Sequence, residues 1–132
     1  MEPASGQAAR RAWWAVAGWL VFMLTLTSIP GQALPDLHTW FRIDRVAHFC
    51  IYFGLGWLVA RAGMMRGWSV TQLALAWVAI VVFGALDELH QVVIPNRSGD
   101  VMDWVMDASG SWLGLAMAFL LKRKSWAAPL LQ

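Results

Sequence analysis

Of the chain's 132 residues, 59% are hydrophobic and only 14% charged, and its mean hydropathy is +0.54; a soluble domain of this length would have too few polar residues to cover its surface. Ten tryptophans, seven methionines and long apolar runs require a chain embedded in lipid. A net charge of +2 and a pI near 9.2 do not indicate a nucleic-acid partner, because the basic excess is divided between the chain ends and one loop and forms no dense stripe with interleaved aromatics.

Residues 1–11 are small and polar and have the character of a tail. Residues 12–29 form an 18-residue apolar run, about 27 Å of helix and a first membrane span. Arg10-Arg11 ahead of that run, with Gly31-Gln32-Ala33 behind it, is also the pattern of a cleaved signal, for which the apolar stretch is long. Pro30, Gly31 and Pro35 end the run, and the segment to Arg42 is expected as a loop lying against the membrane surface through Leu37, Trp40 and Phe41. A second helix is expected over residues 43–60, followed by a connection containing Arg61, Gly63, Arg66 and Gly67. The lone Cys50 cannot form an internal disulfide and is expected as a small packing residue.

Ser69 and Gln72 have capping-box spacing for a third helix, apolar over residues 70–86. Nothing before Pro95 stops it, so it should continue through Asp87-Glu88-Leu89-His90-Gln91. Asn96-Arg97-Ser98-Gly99 is a turn pattern. Asp100 suits the N-cap of a last helix and Asp103 its first turn; the apolar pattern then runs to Leu121, before Lys122-Arg123-Lys124 and a tail over residues 122–132. The fold expected is all-α, a four-transmembrane-helix bundle occupying residues 12–121.

With both termini on one side, that side carries Arg10, Arg11, Arg61, Arg66, Lys122, Arg123 and Lys124 against one acid, Glu2. The other carries Arg42, Arg45 and Arg97 against Asp36, Asp44, Asp87, Glu88, Asp100, Asp103 and Asp107. The positive-inside rule then makes both termini cytoplasmic and the acidic loops external. Trp13, Trp14, Trp68 and Trp126 on the inner side, and Trp40 and Trp104 on the outer, suit interfacial belts or packing.

The chemistry-bearing residues gather toward the outer side. Asp44, His48 and Tyr52 share one face of the second helix; Asp87, His90 and Gln91 share a face of the third, with Glu88 about 100° around. On the fourth, Asp103 and Asp107 precede Gly110 and Gly114 on a small-residue groove that lets a neighbouring helix approach closely. Asp107 lies about 6 Å deeper than Asp103, so it requires neutralisation, water, or a partner such as Arg97, Arg45 or His48. The candidate ligand-binding set is Asp44, Arg45, His48, Asp87, Glu88, Gln91, Arg97, Asp103 and Asp107. Converging acids and histidines suit a divalent cation, although convergence is not legible in sequence, and residues 87–91 lack the second histidine of a zinc-protease helix. Ser98 and Ser111 have no paired base. Arg97 suits a bidentate clamp on a phosphate or carboxylate, or a salt bridge to Asp100 or Asp103.

These blocks resemble the VanZ-like family of small bacterial membrane proteins. The resemblance lies in Asp44-Arg45, His48-Phe49 and Tyr52; in Asp87-Glu88-Leu89-His90-Gln91; in Pro95-Asn96-Arg97-Ser98-Gly99-Asp100; and in Asp103, Gly110 and Gly114. They follow one another in family order across roughly residues 28–118. Arg45 stands where the family usually has lysine and Asp107 where it usually has asparagine. The resemblance implies a multi-pass protein of the bacterial inner membrane, in contact with membrane lipid, the family's namesake being linked to low-level resistance to the glycopeptide teicoplanin. It implies no agreed reaction.

The expectation carried forward is an outward polar pocket that binds or handles an envelope component, such as an anionic lipid or a peptidoglycan-precursor headgroup. Two rivals stand beside it: a membrane enzyme using the same acids and His48 on a lipid-linked substrate, and an interaction module in which the polar cluster only fixes helix packing. Four short spans offer little for alternating access, which disfavours a transporter.

Overall fold

Where the sequence has its strongest breakers, the helices end. The computed structural model describes residues 4–34 and 43–127, and in them the chain forms α1 (Ala4–Thr27), α2 (Ile43–Met65), α3 (Val70–Val92) and α4 (Val101–Ala127), with a short 3-10 turn at Gly31–Ala33. No strand occurs among the described residues. The helices α2, α3 and α4 are long and apolar enough to cross a membrane; 23 residues in α2 or α3 span about 34 Å, against a ~30 Å hydrocarbon core. The 24-residue α1 includes Arg10 and Arg11 and does not reach that hydropathy.

Each boundary has a local cause. Residues 4–11, expected as a tail, are instead the opening turns of α1, because their alanines, glutamine and arginines are good helix formers. The second helix runs five residues past its expected end at position 60, to Met65. It stops in a Schellman motif: Trp68 N–H donates to the Gly63 carbonyl at 3.1 Å and Gly67 N–H to Met64 at 3.2 Å, with Gly67 at φ +77°, a conformation that glycine adopts without strain. The capping box of α3 is present, Gln72 N–H donating to Ser69 Oγ and Ser69 N–H to Gln72 Oε1. As expected, α3 continues through residues 87–91. Met102 N–H donates to Asp100 Oδ1 at 2.8 Å, capping α4, which continues past Leu121 to Ala127. The proposed surface loop with Leu37, Trp40 and Phe41, together with Asp36, Arg42 and Glu2, lies outside the described residues, as does any side-chain role for Trp126.

Successive helices alternate in direction. At one end, Trp13 packs on Trp68 with ring centroids 5.4 Å apart, and Lys122 Nζ donates to the Met64 carbonyl. At the other, Gly31 N–H donates to the Pro95 carbonyl at 3.0 Å. The central helix is α2, packed most extensively on α4 and next on α1. Its contact with α4 is backbone on backbone: a Cβ on Gly110 would collide with the Phe49 carbonyl, one on Gly114 with the Phe53 carbonyl, and one on Gly56 with the Ser111 carbonyl. Small residues permit this approach, which maximises dispersion where lipid gives no hydrophobic drive for helices to associate.

An apolar core of Val16, Met23, Tyr52, Leu55, Val59, Ala62 and Ile80 joins α1, α2 and α3. Three indoles staple helices together by donating to main-chain carbonyls: Trp19 to Ile51, Trp77 to Ala108 and Trp104 to Val81, at 2.9–3.1 Å. Trp104, placed by the sequence in an interfacial belt, thus turns its N–H inward to α3. Cys50, expected to pack, is exposed on the outer surface of α2.

Candidate functional site

The alternation brings the C-terminal ends of α1 and α3 beside the N-terminal ends of α2 and α4, and all nine candidate residues lie at this end. Two linked arrangements result. One is a polar network between α2, α3 and α4; the other is a cavity bounded by α1, α2, α3, the α3–α4 connection and the start of α4.

His48 is the hub of the network. Its Nδ1 lies 2.9 Å from Asp107 Oδ1 and 3.8 Å from Glu88 Oε1, and its Nε2 lies 3.9 Å from Asp103 Oδ2. The deep acid therefore takes His48, and neither arginine, as its partner. Asp107 is fully buried, and its Oδ2 has no hydrogen-bond partner. Glu88 is oriented from its other oxygen, Oε2 accepting the Asp100 N–H at 2.8 Å, while Oε1 accepts from Gln91 Nε2 at 3.5 Å. The Arg45 guanidinium reaches Asp100 Oδ2 at 3.2 Å and Asp103 Oδ1 at 3.7 Å. Apart from the Gln91–Glu88 contact within α3, each interaction joins residues on different helices or at a helix start, so one cluster ties three elements together.

The cavity measures about 520 Å³, within the range of small-ligand sites. Asp44, His48, Asp87, Gln91, Arg97 and Asp103 give it polar walls, and Met23, Leu26, Leu34 and Ile51 give it apolar ones. Arg45, Glu88 and Asp107 are not among its lining residues. Tyr52 donates to Asp87 Oδ2 at 3.5 Å across the floor, and Asp87 Oδ1 is buried without a hydrogen-bond partner. His90, grouped from spacing with Asp87 and Gln91, stays off the cavity wall, its Nδ1 4.0 Å from Asp87 Oδ1.

Arg97 adopts neither of its two expected pairings with Asp100 and Asp103; Arg45 reaches both. Its Nη2 donates to the Leu26 carbonyl near the end of α1 at 3.2 Å, leaving Nε buried and without a hydrogen-bond partner. Asn96 at φ 55° makes the reversal that brings the following arginine over the cavity, a left-handed conformation asparagine tolerates better than most residues.

The contribution of α1 was not foreseen. Met23, Leu26 and Thr27 line the cavity, and Gly31 sits so close to Asn96 that any side chain there would collide with its carbonyl. The apolar repeat on α1 gave a face but not its neighbour; Gly31 beside Pro30 signalled only a break.

A sequence model of a family described as VanZ/LLP1 matches residues 6–122. No curated protein and no solved structure matches the chain.

Proposed function

The chain belongs to the VanZ/LLP1 family and is a membrane-type helical bundle, and on that premise we propose that its polar end binds the anionic headgroup of an envelope amphiphile, either a lipid or a peptidoglycan precursor. Arg97 carries the reading. It lines the cavity, its Nε is buried without a hydrogen-bond partner and its Nη2 meets a main-chain carbonyl in place of a carboxylate, so the guanidinium's charge is left for an anionic ligand to balance. The apolar wall of Met23, Leu26, Leu34 and Ile51 supplies the surface that the lipid part of such a molecule would cover. Altered tolerance to a glycopeptide such as teicoplanin would follow where the bound headgroup belongs to the precursor that the antibiotic recognises.

A second reading has its own support: the His48–Asp107 and Arg45–Asp100 contacts lock helices together whether or not anything binds. Native mass spectrometry of the gently solubilised protein beside Arg97→Ala and Asp87→Asn separates the two. Binding predicts an anionic adduct on the wild type that is lost from folded Arg97→Ala. An adduct-free wild type, with both variants merely less stable, assigns the polar end to packing alone.

A further inference from the structure

In and behind the cavity wall lies a constellation that the Arg97 reading does not use. Four carboxylates in this end of the bundle are buried, Asp87, Glu88, Asp103 and Asp107. Against them stand, among the described residues, one arginine in contact, Arg45 at Asp103, and the two histidines His48 and His90. Uncompensated negative charge at this depth is expensive, and protons or a cation must balance it. The geometry around His48 favours the cation.

We propose that His48 Nδ1, Glu88 Oε1 and Asp107 bind a divalent first-row metal ion. The three residues each offer a ligand atom, and these atoms lie within 4.8 Å of one another. Ligands sharing an ion at metal–ligand distances of about 2.0–2.1 Å with tetrahedral angles are about 3.3 Å apart; the 2.9 Å and 3.8 Å separations from His48 Nδ1 bracket that value. Asp107 has a second oxygen, buried and without a hydrogen-bond partner, so it can coordinate through one oxygen or both.

The outer contacts are those that metal ligands need. Asp103 stands 3.9 Å from the far ring nitrogen of His48 and 3.7 Å from Arg45, beyond hydrogen-bond length but where an outer carboxylate would close on the imidazole of a metal-bound His48. Glu88 is fixed through Oε2 by the Asp100 N–H, and Oε1, which accepts from Gln91 Nε2 at 3.5 Å, keeps a lone pair for coordination. One imidazole and two carboxylates suit zinc or manganese better than calcium, which takes more oxygen ligands. Three protein ligands leave a position open to water or to a ligand oxygen, and one of the three, His48, also lines the cavity. The inference goes beyond the headgroup reading and does not depend on it, since Arg97 is not a ligand.

The test is metal content by mass spectrometry after loading the detergent-solubilised full chain with Zn²⁺ or Mn²⁺ and desalting. About one equivalent per wild-type chain is expected. Glu88→Gln and Asp107→Asn, if folded by circular dichroism and gel filtration, should bind at least about tenfold more weakly, and Asp103→Asn should weaken binding by a similar factor through the imidazole. Cobalt substitution of the wild type keeps the test decisive if the variants fail to fold: intense visible bands from a low-coordinate site support the proposal. Metal no higher than in empty micelles, the pale spectrum of the hydrated cobalt ion, or folded variants that bind as tightly as the wild type would each overturn it.

Discussion

The His48–Asp107 contact is the point on which the polar end turns. Asp107 is fully buried and His48 Nδ1 is 2.9 Å away, so removing the imidazole strands that carboxylate in protein, whereas removing both groups leaves neither member of the pair without its partner. Breaking one side of such a pair typically costs about 3 kcal/mol or more, while an apolar replacement of the whole pair is often close to neutral. His48→Leu should therefore destabilise the protein by about 3 kcal/mol, and His48→Leu with Asp107→Leu should be more stable than the single variant. Reversible unfolding in mixed detergent micelles measures both; a double variant worse than the single one would show that the pair is not the source of the cost. Spacing marked these residues as candidates because ionisable groups are rare at membrane depth. Which partner each would take was not legible, since Arg45, Arg97 and His48 all had suitable reach.

The interface between α2 and α4 is set by glycines, and two of them give opposite predictions from the same substitution. At Gly114 a new Cβ meets the Phe53 carbonyl and lies 3.0 Å from Trp57 N, so Gly114→Ala forces two backbones apart and should cost about 2 kcal/mol. At Gly18, inside α1, a Cβ finds nothing within 4 Å; Gly18→Ala should be neutral or stabilise by about 0.5–1 kcal/mol through helix propensity. Thermal stability in one detergent compares them directly, and equal effects would refute the backbone contact. The sequence placed Gly110 and Gly114 on a close-packing face. It did not show that α2 is the helix received there, or that Gly56 completes the contact from the other side, because side-chain periodicity defines a face and carries no information on its neighbour.

Across the whole molecule, alternating helices put the acidic cluster at one end and Arg10, Arg11, Arg61, Arg66 and Lys122 toward the other. That separation is the basis for expecting both termini in the cytoplasm. Labelling with a membrane-impermeant maleimide tests it, since Cys50 is the chain's only cysteine and can be replaced by alanine. In that background Ser98→Cys, exposed in the α3–α4 connection, should react in intact spheroplasts, and Gln7→Cys, exposed near the start of α1, only after lysis. The reverse pattern would invert the orientation and place the cavity on the cytoplasmic face.

By itself the sequence determined the class of molecule and most of its punctuation. Apolar run lengths demanded membrane helices, Pro30, Gly67 and Pro95 ended them, and the capping signals at Ser69 and Asp100 were made as expected. These properties are local: a helix needs only its own backbone hydrogen bonds and a stretch apolar enough for lipid. Helix lengths were less legible, as at residues 4–11 and 61–65, because ordinary helix formers extend an element wherever nothing stops it. The tertiary structure alone decided the cavity, the place of α1 in its wall, and the choice of Arg45 over Arg97 for Asp100 and Asp103. Those outcomes depend on which helix faces meet, at what separation and register, and the close approach of glycine-lined backbones sets all three.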